Sequence, residues 1–509
     1  MAGKKKVNEG IKASKRSKAI MTAFIVLIIL IIIGFFVYIS GVIQKVATGI
    51  KITETSPEGV TTTIEKISVV EANYHYYQVL NTFYGYGMIT DQDQLDEVFD
   101  EETGKTYYML VMDQAAQEIL NSVMVNKAAE ENGYLQYSGA GRYADLTVDS
   151  LRDTATMYGY PTAEQYLQAL YGRGMTTFEF RECVERQTLT QEYENYVRQF
   201  LFTASEEDIQ AAYDEDPMAY LRVDFNYYYF AGTPDEEGNY DLTEAQNKAQ
   251  AVINATTDSE SFKAAVVSQI SEEDAELYGF NDETYDPTLA TSYTSANTDM
   301  IVDGLTDFAF ETAEPGDSTI LDAGTGVFVV YLVDRYTNDE ATVTYRTLTL
   351  YNPANELSDP TEADLLNGRA EMEAEANQLA AQATSDSLAF ATLVKQNSDN
   401  TGEIVSGGYV DGVAASNYES SDMNPLTDSQ IALGAWLFDE SRVHGDTFVQ
   451  VSDDGSRVTV YYFENSVPMW MYTARNQIVT TMVNAWSQQI MVNDPSYAVA
   501  YDFMRMISK

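Results

Sequence analysis

Histidine and cysteine are almost missing from this chain, and their scarcity bounds its chemistry. The 509 residues include two histidines, His75 and His444, and one cysteine, Cys183. A zinc site needs three or four such ligands together, and these three are widely separated in sequence. A serine hydrolase needs a G-x-S-x-G elbow and a histidine base, and no such elbow occurs. Cys183 lies in a helical pattern, FEFRECVERQ, with no histidine nearby, and reads as a buried structural thiol. One cysteine allows no intramolecular disulfide.

Two other stretches could carry chemistry. DQDQLDEVFDEE, from Asp91, has the carboxylate density of a calcium loop. Leu95 stands at a ligand position, however, and Asp96 stands where the loop needs glycine, so a solvated acidic loop is expected. Gly139-Ala140-Gly141 is a lone glycine pair and a weak phosphate loop. No catalytic residue, metal site or cofactor is therefore assigned.

The elements that would position any site begin with an apolar run, Ala19 to Gly41, of 23 residues without a charge. As a helix it would be about 35 Å long, enough for a hydrocarbon core of about 30 Å. Seven basic residues and Glu9 precede it in residues 1–18, a flank expected to stay cytoplasmic. A cleaved signal peptide would have a shorter apolar core and a small-residue cleavage site, and Gly41-Val42-Ile43-Gln44-Lys45 is a poor one. The expected arrangement is a cytoplasmic basic tail (1–18), a single-pass anchor in the cell membrane (19–43) and an extracytoplasmic remainder.

Beyond residue 18 the chain carries 23 Lys and Arg against 77 Asp and Glu, a net of −54. That charge repels nucleic acid and anionic lipid and makes a well-solvated surface. Apolar residues at 45% still suffice for packed cores. Tyrosine, at 37 residues, is abundant enough to furnish both cores and adaptable contact surfaces.

Residues 44–66 read as a polar, Thr-rich linker. Residues 67–217 read as all-helical: a helix capped by Ser68 and Glu71, another from Met109 to Asn132 ended by Gly133, a third from Thr147, two with caps at Thr162/Gln165 and Thr176/Glu179, and a last one from Ser205. The pattern then changes twice in the same way. A strand at Tyr220–Phe230 precedes a helix with a predicted Thr243/Gln246 cap, a second helix, an acidic loop and two strands around Gly324-Thr325-Gly326. A strand at Val343–Tyr351 opens the same order again. Phe262, Phe310, Gly316 and Gly326 are expected to match Phe390, Phe438, Gly445 and Gly455, giving α+β domains at 218–340 and 341–466. The remainder, 467–509, holds a helix (Trp470 to Met491) able to return to the helical region.

The stretches ISVVEANYHYYQVL, AEQYLQALYGRGMTTFEFRECVERQTL, SLAFATLVKQNSDN, SGGYVDGV and FDESRVHGDTFVQV, in that order, resemble the PrsA/SurA group of exported parvulin-type foldases. The resemblance spans roughly residues 66–492. It implies a SurA-N-like helical chaperone region, two tandem parvulin-like α+β domains and a C-terminal helix packing back. A parvulin site carries one histidine on its first strand and one on its last. Those positions fall near Tyr227 and Phe328 in the first copy, and near Thr347 and Arg457 or Val458 in the second. Both copies lack the pair.

Accelerating an X–Pro isomerisation means lowering a barrier of about 20 kcal/mol with tuned polar groups. Without the histidines, little peptidyl-prolyl isomerase activity is expected. The resemblance implies a membrane-anchored chaperone for unfolded or newly exported polypeptides. Tyr74, Tyr77, Phe178 and Trp486 are the candidate client contacts, although aromatic residues at helical spacing also build cores. The alternatives are an isomerase with a non-standard site and a surface interaction or adhesion protein.

Overall fold

The computed structural model describes residues 22, 24, 26–32, 40–282, 285–420 and 425–508. The expected basic tail lies outside the described residues, and so does much of the expected anchor. Of the anchor, residues 22, 24 and 26–32 are helical and exposed. Among the described residues no helix is long and apolar enough to cross a membrane.

Chain order begins with a short helix α1 (Val42–Val46), then strands β1 (Thr48–Thr55) and β2 (Thr61–Ser68). The stretch read as a linker is thus largely a β-hairpin. Alternation explains it: Ile50 and Ile52 point into the core with no exposed surface, and Lys51 between them faces outward. Gly41, at φ +68°, packs so closely on Gly174 that a Cβ would sit 2.3 Å from the Gly174 Cα.

The helices that follow are α2 (Val69–Gly85), α3 (Tyr107–Glu131), α4 (Ala140–Met157), α5 (Ala163–Tyr171), α6 (Thr177–Tyr196) and α7 (Glu206–Glu215). Ser68 caps α2 by accepting from the Glu71 N–H at 3.1 Å, and Ser205 and Asp208 form a full capping box on α7. Helix α4 starts seven residues before the expected Thr147. Its N-terminus is capped from afar: the Gly139 N–H donates to Glu192 Oε1 of α6 at 3.0 Å. A π-helical turn, Val197–Leu201, extends α6.

Two α+β units come next. The first contains β3 (Leu221–Ala231), α8 (Thr243–Ala255), α9 (Ser259–Val267), β4 (Leu289–Tyr293), β5 (Ser318–Asp322) and β6 (Gly326–Thr337). The second contains β7 (Ala341–Tyr351), α10 (Glu362–Ala380), α11 (Ser387–Asn397), α12 (Thr401–Ser406), β8 (Tyr409–Ala414), α13 (Asp428–Leu437), β9 (Thr447–Val451) and β10 (Arg457–Pro468). Their antiparallel sheets run β4-β3-β6-β5 and β8-β7-β10-β9, the same spatial order. Phe262 and Phe390 are both fully buried, and the Gly316 and Gly445 N–H groups bond to Leu332 and Phe463 carbonyls at 2.8 and 2.9 Å. Tyr331 and Tyr462 both donate to a carbonyl ahead of the second helix, that of Thr257 and of Thr384.

That register corrects one expected match. Gly455 (φ +67°) falls on Gly324 (φ +75°), the left-handed turn residue, and not on Gly326. The Thr243/Gln246 cap is also absent: Asp241 accepts from the Thr243 N–H at 2.9 Å instead.

Helix α14 (Met469–Gln489) runs back along the helical region. Trp486 meets Tyr193 edge-on at 5.9 Å, and Ala474 packs with Ile209 and Tyr220. Strand β11 (Ser496–Val499) then pairs with β1, Ile50 opposite Val499, and α15 (Tyr501–Ser508) buries Met504 completely over Gly49. The first sheet is completed by residues some 440 positions away in sequence, so the alternation of β1 alone did not show what extends and covers the hairpin.

Met504→Ala should cost about 2–5 kcal/mol in chemical unfolding although it lies five residues from the end of the chain. His75 gives a second test. Burial, reinforced by the Arg186 charge, lowers its pKa from 6.5 to about 4. The unfolded chain therefore binds the proton more tightly, so stability rises with pH between about 4 and 6.5 and is fully present above. The shift is worth about 3 kcal/mol, and His75→Leu should flatten the stability profile across that window by about that amount.

Candidate functional site

One face of the second sheet carries the most developed polar site in the units. Thr347 stands opposite Tyr461, and Thr349 opposite Thr459. The four-residue turn Asp453–Ser456 sets this register, and it is Thr459 that matches Phe328 of the first unit.

The Thr459 and Thr349 hydroxyls are 3.2 Å apart, and Thr349 Oγ1 donates to Glu403 Oε1 at 2.7 Å. Glu403 Oε2 accepts from the Thr349 N–H at 2.8 Å and from the Ser398 hydroxyl at 2.5 Å. This buried carboxylate is thus satisfied on both oxygens, as a low-dielectric interior requires. Outward from it, a cavity of about 330 Å³ opens between α13 and strands β9 and β10. Thr459 and Tyr461 line it beside Leu433, Gln430 and Gln450, and Gln450 Nε2 is held by the Ser429 carbonyl at 2.8 Å. Burial pushes the Tyr461 phenol up to about 12. The cavity presents hydroxyls and amides together with Asp453 and Arg457, which can hydrogen-bond a polypeptide backbone but offer no imidazole for proton transfer near neutral pH.

The same face of the first unit is aromatic. Tyr227 and Phe328 stack at 6.2 Å, Tyr229 lies 5.1 Å from Phe328, and Phe225 is buried beneath. Both faces are positioned by the α/β scaffold, and their furnishing differs. No family model matches the chain, and no curated protein matches it.

The four predicted contact residues are not brought together. Tyr74 is 3% exposed, bonded through its hydroxyl to Gln187 Oε1 at 3.0 Å and edge-on to Phe180 at 5.8 Å. As placed it is core, because its stripe of α2 faces α6. Tyr77 is half-buried beside Tyr76, and Trp486 is half-buried on Tyr193. Phe178 alone of the four is freely exposed, at 66%, on the first turn of α6. His444 clamps a turn: Nδ1 lies 2.9 Å from the Glu464 carbonyl and Nε2 3.0 Å from that of Ser385. Cys183 is buried, and burial raises its thiol pKa. Asp91 caps a 3₁₀ turn through the N–H groups of Asp93 and Gln94. No metal-holding cluster occurs among the described residues.

Sequence reasoning missed the junction that fixes the second unit to the helical region. Lys395 of α11 lies 3.7 Å from Glu192 of α6 and bonds to the Tyr134 hydroxyl. Arg346 of β7 pairs with Glu464 at 2.5 Å, donates to Gln199 Oε1 and the Gly407 carbonyl at 3.0 Å, and lies between the Phe200 and Tyr409 rings. The signal was present: a lone cation interrupts each of the apolar runs TVTYRTLTL and SLAFATLVKQ.

Burial pushes Glu192 up and Lys395 down, each opposed by the other's charge. Removing one partner strands the other, so Lys395→Met should cost about 3–5 kcal/mol, and adding Glu192→Gln should restore much of it. A double-mutant cycle in urea unfolding measures the coupling.

Proposed function

We propose that this protein is a membrane-anchored, extracytoplasmic chaperone that holds unfolded or newly exported polypeptides and has little prolyl isomerase activity. The reading is supported most by two tandem units of one strand order whose matching sheet faces offer aromatic rings and hydrogen-bonding groups without a histidine pair. Such surfaces suit weak, adaptable contacts with many extended chains. The SurA-N-like and parvulin-like character of the helical region and the units belongs to this proposal. So does membrane attachment through 19–43, which the exposed apolar helical residues 26–32 favour.

A second reading is favoured by one observation. The Thr459–Thr349–Glu403 relay ends at the cavity of the second unit, where an isomerase with a non-standard site would need a polar network.

The test is aggregation of a thermally unfolding client in the presence of the full chain in detergent. A dose-dependent delay, with no acceleration of isomerisation in a proline-containing peptide, is expected. No delay at several-fold molar excess overturns the chaperone. Acceleration that Thr459→Val abolishes establishes the second reading.

A further inference from the structure

A groove of about 650 Å³ lies in the helical region, outside both α+β units. Strand β2 and the start of α2 form one bank, and α3 and α6 form the other. Strand β2 is the edge of its sheet, whose order is β11-β1-β2, so its side away from β1 has no strand partner among the described residues. Alternate residues of an antiparallel strand direct both N–H and C=O to that side. No other element bonds to those groups among the described residues. Glu65 and Ser68, three residues apart, belong to opposite faces of β2, yet both line the groove. The groove therefore follows the edge of the strand and not one face of the sheet. Glu65–Ser68 offers about 13 Å of edge at about 3.3 Å per residue.

The lining restricts what could add to that edge. Ile64, Leu135 and Leu189 give apolar contact, and all three retain accessible surface. Six glutamates line the groove against two cations. Arg186 of α6 shows the preference internally, its guanidinium meeting Glu65 at 2.6 Å and Glu71 at 3.0 Å. Lys127 is turned to Glu54 of β1. Glu130 and Glu182 stay exposed. Burial raises the Glu71 pKa, and the Glu65 and Glu182 charges add to the rise against the opposing Arg186. Carboxylates thus outnumber the cations that balance them, and an incoming cationic group is attracted. A metal ion is disfavoured, since no carboxylate cluster able to hold one occurs among the described residues. A second copy of the chain would bring more negative charge, its net being −48.

We propose that this groove binds an extended polypeptide segment bearing lysine or arginine, which adds to β2 as a fourth strand. Main-chain hydrogen bonds to the edge supply affinity for any sequence, and the glutamates select cationic side chains. Apolar side chains of the segment lie over Ile64, Leu135 and Leu189. The proposal rests on the chaperone reading only for the supply of extended chains, and it uses no residue of the α+β units.

The full chain in detergent should be titrated, by fluorescence anisotropy, with a labelled octapeptide of alternating lysine and valine and with its glutamate–valine counterpart. The basic peptide should bind with a Kd below about 1 mM, and the acidic one should not bind. Raising the salt from about 50 to 500 mM should weaken binding severalfold. Glu130→Gln and Glu182→Gln, both at exposed positions, should each weaken it roughly two- to fivefold. N-methylation of two successive central residues blocks both edges of the peptide and should weaken binding about tenfold or more. Hydrogen exchange across residues 61–68 should slow when the basic peptide is bound.

Absence of binding by the basic peptide overturns the proposal. So does equal binding of the acidic peptide, or binding that neither glutamine variant weakens, because the glutamates then select nothing. Unchanged exchange at 61–68, or full binding of the N-methylated peptide, overturns the addition of a strand. Suppressed aggregation without peptide binding defeats this proposal and leaves the chaperone reading standing. Peptide binding without suppression does the reverse.

Discussion

Glu192 has no exposed surface, and three separate parts of the structure meet at its carboxylate. It accepts from Ser138 and from the Gly139 N–H, so it holds the start of α4, and it faces Lys395, so it holds the second α+β unit. A buried charge is tolerated only when it is paired and hydrogen-bonded, and each of these partners depends on the others being present. The stretch that looked like a weak phosphate loop is explained by the same contact. The helix N-terminus there already binds an anion, supplied by the chain itself.

The chain also closes on itself. Strand β1 finds its outer partner in β11, and the core beneath Gly49 is finished by Met504. These contacts span nearly the whole sequence, so the loop-closure entropy they offset is paid only once the last residues are available. Helix α14 packs along the helical region, with Trp470 against Tyr213 of α7 and Trp486 against Tyr193 of α6. The helical region is thus assembled from both ends of the chain, and the α+β units are inserted between them.

The two units separate scaffold from chemistry. Their sheets share strand order, and their buried Phe and Tyr residues correspond, yet the matching face is aromatic in one and carries hydroxyls wired to Glu403 in the other. A fold can be repeated while its site diverges: both faces of each sheet carry a buried apolar cluster, and the units differ in the side chains that furnish one of those faces.

Much of the architecture was legible in the sequence because it depends on local periodicity. Ser68 and Ser205 cap the helices they precede, Gly133 ends α3, and strands β3 and β7 lie where strands were read at Tyr220–Phe230 and Val343–Tyr351. The scarcity of histidine and cysteine also excluded whole classes of chemistry before any coordinates. What the sequence could not show depends on partners distant in the chain. The hairpin at 48–68 needed β11, the start of α4 needed Glu192, and the true match of Gly455 needed the strand register. Tyr74 reads the same whether it faces solvent or α6, because helical spacing records which residues share a face and not what covers that face. Composition and periodicity determined the elements and the missing chemistry. Tertiary packing alone decided which polar groups were buried together, because burial is a property of contacts between distant segments.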